Sequence, residues 1–261
     1  MVGDHALKLT RADEHLESLR TEIQWWAASH PYRITRERDE DSGFTVFYAE
    51  PFGEPPLKLS LIIGDILGNL RSCLDYLAQT LSVRGFGGPL SEGAERACHF
   101  PICESQKTFA EARRSVIPRV EAAPLAAIER LQPYHRGKDR ESDPLAILKT
   151  LSDFDKHRRL PLIAQRAALG AADVLATEWS ADEFELTFPS VFEAKTELFR
   201  SRGLTDRTGS EVEVDFSLTL DVAFADGAPR AVAGERVIAV METLWRHVAE
   251  HVVLALQSYL E

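Results

Sequence analysis

Five charged residues in the middle of the chain stand where plain surface charges are not expected: Arg71, Asp75, Asp155, His157 and Arg158. Arginine offers a planar fork of donors suited to carboxylate or phosphate, and carboxylates hold such forks in place. Arg71 and Asp75 are four residues apart and can pair along one helix face. They continue a stripe begun by Gly64 and Gly68. Each glycine inside a helix costs roughly 1 kcal/mol relative to alanine. The expected compensation is close approach of another backbone or of a ligand. Asp155 and Arg158 project, on a helical wheel, onto the same face as Ile147, Leu148, Leu151 and Phe154. Charges on an apolar face must be paired, or desolvation costs several kcal/mol. Three arrangements follow: the two pair with each other, they pair with Arg71 and Asp75 across helices, or they line a pocket. The last is an anion-binding site between two helices.

Two further groups of residues could do chemistry. His247-Val248-Ala249-Glu250-His251 matches H-x-x-E-H, the inverted zinc-hydrolase motif. Zinc catalysis needs a third protein ligand, and Glu261 offers the one carboxylate side chain after this motif. His251 also falls on an apolar stripe, so a core histidine is the simpler reading. Cys73, Cys98, His99 and Cys103 fit no standard zinc spacing and read as buried apolar cysteines. No site for a metal is expected. The chain has no phosphate-binding glycine loop, no dinucleotide fingerprint and no nucleophile elbow, so no cofactor is expected either.

The elements that must position these residues follow from periodicity. Leu9, Ala12, Leu16, Leu19, Ile23 and Trp26 mark one face of a first helix. Tyr32–Arg36 and Phe44–Tyr48 flank a polar, glycine-containing turn and predict a hairpin. Leu59, Ile62, Ile63, Ile66, Leu67, Leu70, Leu74 and Leu77 define the strongest helix, over 59–81, ended by Gly85–Gly88. Residues 89–105 read as a loop pinned by Phe100-Pro101-Ile102, followed by helices near 106–115 and 121–132. Asp143 with Pro144 behind it starts a helix over 143–159. The period then changes to that of strands: Leu162–Ala168, Ala172–Trp179, Phe184–Phe188, Thr196–Arg200 and Val212–Phe224. The last of these alternates apolar and polar residues, which predicts one buried face. Val237, Met241, Leu244, Val248, Val252 and Tyr259 define a last helix over 234–260.

That order, helices before mostly antiparallel strands, predicts an α+β fold. Its helical bundle is built around helices 59–81, 143–159 and 234–260. One domain, 1–261, is expected: helix and hairpin 1–50, helical part 57–160, β-rich part 161–226 and the C-terminal helix. The 261 residues are 44% hydrophobic and 27% charged, enough for a sizeable core. No apolar stretch reaches the length of a membrane span, and Met1–Thr10 lacks the apolar run of a signal peptide. With three cysteines a disulfide framework is not expected, so the cytoplasm is the expected compartment. The net charge of −11 argues against a general nucleic-acid coat. The charge is uneven, however: residues 107–166 carry 13 Lys and Arg against 8 Asp and Glu, which leaves −16 for the remainder. A basic middle in an acidic protein is a candidate anion-binding region.

Four segments carry a resemblance. Asn69-Leu70-Arg71-Ser72-Cys73-Leu74-Asp75-Tyr76-Leu77 resembles the NLRSALDHL helix of a family of uncharacterised bacterial and phage-associated proteins. Phe100-Pro101-Ile102, Leu131-Gln132-Pro133-Tyr134-His135 and Asp153-Phe154-Asp155-Lys156-His157-Arg158 are similar to its other motifs, in the same order. The resemblance covers 57–160 strongly and brings no activity. Arg, four residues and then His in the family's helix is similar to the motif of HEPN ribonucleases, where paired Arg and His from two subunits cleave RNA without metal. Tyr76 stands at the His position here, which removes the general base. Three functions are expected as alternatives: a binding protein for an anionic or phosphate-bearing ligand, a small molecule or RNA; a HEPN-like metal-independent ribonuclease acting as a homodimer, or an inactive relative; and a structural or interaction protein with a buried ion-pair network.

Overall fold

The computed structural model describes residues 3–29, 32–51, 54–166, 179–180, 182–187, 195–203, 205–206 and 220–260. It is an α+β fold. Helix α1 (Asp4–Ala28) buries Ala12, Leu16, Leu19, Ile23 and Trp26, the stripe that its three-and-four spacing dictates. It packs along α2 (Leu57–Phe86), the central helix, on which Leu59, Ile63, Ile66, Leu70, Leu74 and Leu77 are all but inaccessible to water. Burial of each such side chain stabilises the fold by about 1.5–3 kcal/mol. Gly87, at φ 75°, ends α2 in the left-handed conformation that glycine adopts without strain.

Between α1 and α2 the expected hairpin is present, as β1 (Tyr32–Arg38) and β2 (Thr45–Pro51). A four-stranded antiparallel sheet runs β1-β2-β6-β5, with β5 at Glu183–Leu186 and β6 at Thr196–Arg202. Phe47 and Phe199 are register partners on β2 and β6, and their rings stack at 4.3 Å. Two short antiparallel pairs complete the described strands: β3 (Leu162–Arg166) with β8 (Leu220–Phe224), and β4 (Trp179–Ser180) with β7 (Thr205–Asp206). Of the expected strands, residues 167–168, 172–178, 188 and 212–219 lie outside the described residues.

Four expectations are corrected. The segment 89–105 contains a short helix, α3 (Glu92–Ala97), because the Ser91 hydroxyl caps it by accepting from the Ala94 N–H at 3.4 Å. Helices α4 (Gln106–Ser115) and α5 (Ala122–Arg130) follow as anticipated, then a 3₁₀ segment over Pro133–Ser142. Helix α6 spans Pro144–Asp155 and does not reach Arg159. The chain turns at Lys156–Arg158, and the buried Ser60 hydroxyl draws Leu160 aside by donating to its carbonyl at 3.0 Å. Strand β8 is buried throughout, where one buried face was expected. Its Asp221 is buried too, because Arg236 pairs with it. The last helix starts at Val237, since Gly234 and Glu235 hydrogen-bond back to Phe224. It runs as α7 (Val237–Arg246), a π-helical stretch (His247–Val253) and α8 (Leu254–Gln257). Arg20 on α1 clamps α7 through Glu242 at 2.6 Å. Among the described residues, no helix is long and apolar enough to cross a membrane.

Candidate functional site

Arg71 and Asp75 face one another across one turn of α2, with Nη2 and Oδ1 3.7 Å apart. That separation is an ion pair and too long for a hydrogen bond. Asp75 spends Oδ1 elsewhere: it accepts the backbone N–H of Phe100 at 2.9 Å. Phe100 is fully buried, so this bond pins the Phe100-Pro101-Ile102 stretch to α2. A second anchor comes from Gln132, which is also buried. Its Oε1 accepts from the Cys103 N–H at 2.8 Å, and its Nε2 donates to the carbonyls of Pro101 and Ile128. The motifs around Phe100 and Gln132 therefore build the wall beside α2.

The Arg71 side chain is 22% exposed. Its Nη1 is buried and has no hydrogen-bond partner among the described residues. A charged donor left without an acceptor away from water costs about 1–3 kcal/mol or more.

Asp155, the last residue of α6, packs against a different part of α2. A β-carbon added at Gly64 would lie 2.7 Å from its Oδ2, so Gly64 is small because Asp155 rests on it. Gly68, by contrast, faces open space. Burial pushes the Asp155 carboxyl above its ordinary value, and the neighbouring Asp65 carboxylate adds to the effect. Asp155 is half-buried, while His157 and Arg158 are exposed. The expectation that Arg158 is removed from water is thus corrected. The wheel placed it on the apolar face, but the helix stops three residues earlier. Its guanidinium lies 5.3 Å from the Phe154 ring centre, and among the described residues it makes no ion pair with Asp155. From Gly64 to Arg71 is seven residues, about 10 Å along the helix axis. The five residues therefore divide in two: Arg71 with Asp75, and Asp155, His157 and Arg158 nearer the start of α2.

The cysteines are all free thiols, and burial raises each of them; Cys73 is pushed up to about 12. None is poised as a nucleophile. The His99 ring is engaged with the Ala97 carbonyl at 3.0 Å. No three His, Cys, Asp or Glu among the described residues are grouped to hold a metal. The H-x-x-E-H residues fall in the π-helical stretch, where the rings of His247 and His251 are 5.2 Å apart. His247 Nε2 is buried without a hydrogen-bond partner among the described residues, and burial lowers the pKa of the ring. Sequence reasoning missed the Phe100 N–H as the partner of Asp75, and no signal in the chain pointed to it. It also missed the Arg119 guanidinium over the Phe86 ring.

No family model, curated protein or solved structure matches this chain.

Proposed function

We propose that the protein binds an anionic small molecule, carboxylate- or phosphate-bearing, and that Arg71 holds the anion. One observation carries this reading: a largely buried guanidinium with an unpartnered Nη1. An oxyanion supplies the missing acceptor, and a planar fork suits it geometrically. Asp75 is a positioning residue. It holds the guanidinium by charge at 3.7 Å while its own oxygen is committed to Phe100. Asp155, His157 and Arg158 form an outer rim that only a larger ligand reaches, given the offset of about 10 Å along α2. The free, unreactive cysteines fit a cytoplasmic protein.

The nuclease reading gains no specific observation. Tyr76 stands where its general base would be, and the exposed His157 is offset from Arg71 along α2.

The test is thermal unfolding with inorganic phosphate and with citrate, for wild type and for Arg71→Met. A ligand that binds only the folded state stabilises by about 2.7 kcal/mol at one hundred times its dissociation constant. Wild type gains stability with at least one anion, and Arg71→Met gains none. An equal response in both proteins, or no response to either anion in wild type, removes Arg71 as the anion-holding group.

A further inference from the structure

Most basic residues outside the middle of the chain are neutralised by a carboxylate. Arg11, Arg20, Arg33, Lys58, Arg96 and Arg236 each have one. The middle differs. Lys107, Arg113, Arg114, Arg119 and Arg130 are exposed, and none forms an ion pair among the described residues. Of the acidic residues of this stretch, Glu111 and Glu121 are exposed and pair with none of them among the described residues, while Glu129 accepts from the Tyr134 hydroxyl at 3.1 Å. In a protein of net charge −11, cations left unpaired over two consecutive helices are a local reversal of sign.

The fold brings one of these cations, Arg119, to the end of α2, and Arg113 and Arg114 stand just before it in the chain. Arg113 and Arg114 lie in the last turn of α4, where they also suit the negative end of the helix dipole. The chain then closes in tight turns: Ile117 donates its N–H back to Ala112, and Val120 donates to Ile117. Ile117 and Val120 are buried, so the turn is fixed. The Arg119 carbonyl packs on Gly85, where a β-carbon would lie 2.0 Å away. Its guanidinium lies over the ring of Phe86, 4.6 Å from the ring centre. Phe86 is a large apolar side chain left 48% exposed. Arg84 joins the same end, with Nη1 donating to the Leu260 carbonyl at 2.6 Å.

From this juxtaposition we infer that the α4–α5 turn and the end of α2 form a binding surface for single-stranded nucleic acid. Unpaired arginines follow a phosphate backbone, and a stacked arginine and phenylalanine offer a flat face to an unpaired base. An acidic peptide has no use for that flat face. A membrane surface is disfavoured by the rest of the protein, whose charge of −16 outside residues 107–166 opposes an anionic bilayer. For a single strand, salt screens any charge farther than about 8 Å away at physiological ionic strength. The inference does not rest on the Arg71 site.

The experiment is fluorescence anisotropy with labelled short oligouridylate and oligothymidylate strands, at physiological ionic strength and over a salt series. Wild type binds at least one strand saturably; the pair of strands tells RNA from DNA. The variant Arg113→Ala/Arg114→Ala/Arg119→Ala weakens binding by about tenfold or more and flattens the dependence of log affinity on log salt by about two, as loss of three phosphate contacts requires. Phe86→Leu weakens binding by about tenfold with the salt slope kept, as loss of one stacked base requires. Arg230→Ala, an exposed arginine outside this surface, binds as wild type does. Arg113→Glu/Arg114→Glu, which changes only exposed side chains, stands in should the triple variant unfold, and it too weakens binding. The inference is overturned by no saturable binding of either strand or by undiminished binding in the arginine variants. It is equally overturned if polyphosphate competes fully while Phe86→Leu has no effect, or if anionic phospholipid vesicles are bound and strands are not.

Discussion

The carboxylate of Asp155 rests on Gly64: its Oδ2 lies 2.7 Å from where a β-carbon on that glycine would stand. Four residues on, no atom of the described residues lies within 4 Å of where a β-carbon on Gly68 would stand. Two glycines on one stripe of one helix therefore have different reasons to exist, and only the first is explained by a neighbour. Gly68→Ala should raise stability by about 0.5–1 kcal/mol, since it removes helix-breaking entropy at no steric cost. Gly64→Ala should gain less or lose stability, because the half-buried carboxylate must move. Thermal unfolding of both variants decides it. Equal gains would mean that Asp155 does not rest on Gly64 in solution. Arg158→Met, at an exposed position, should stay within about 0.5 kcal/mol of wild type.

Asp155 also sets a pH dependence. Its pKa in the fold is raised above the ordinary 3.8 by burial and by Asp65. The folded state then holds this proton more tightly than the unfolded chain does. Above 3.8 the contribution of Asp155 to stability falls as pH rises through the folded value, and the penalty is complete beyond it. Asp155→Asn should therefore be more stable than wild type at neutral pH, with the difference closing towards pH 3.8. A difference independent of pH would show that the charge of Asp155 is not what the fold resists.

His247 should act in the opposite sense. Burial lowers its pKa below 6.5; Asp143 works against the shift, while His251 and Arg136 work with it. Stability tied to the neutral ring is present above 6.5 and is lost as pH falls through the folded value. Guanidinium unfolding of wild type and His247→Gln across mildly acidic pH should show a loss in wild type that the variant lacks. Parallel curves would remove His247 as the titrating group.

Asp75 and Gln132 should be costly to lose although neither lies in the hydrophobic core proper. Asp75→Ala leaves the buried Phe100 N–H without its acceptor, a loss of about 1–3 kcal/mol. Asp75→Asn keeps an oxygen there and should lose less. Gln132→Ala breaks three hydrogen bonds at once, for about 2–4 kcal/mol on the same scale. Urea unfolding measures all three. An Asp75→Ala variant as stable as wild type would show that the Phe100 stretch is held by its apolar side chain alone.

What the chain alone determined is local. The spacing of Leu59 to Leu77 makes α2 a buried helix wherever it is placed, and Asp143 before Pro144 starts α6 whatever follows. The hairpin and the order of elements, hence the α+β class, follow from the same short-range rules. Arg71 and Asp75 were legible as partners because four residues is one helical turn. Only the tertiary structure decided where α6 stops, because the hydroxyl that draws Leu160 aside belongs to Ser60, one hundred residues away. That stop exposed Arg158 and moved it off the apolar face on which an unbroken helix would have put it. In the same way Phe100 claimed Asp75, Asp155 claimed Gly64, and Phe86 received Arg119. Each of these joins residues far apart in sequence, whose approach depends on how whole elements pack. Periodicity says which face of an element is buried. It cannot say which distant charge or backbone group will arrive there.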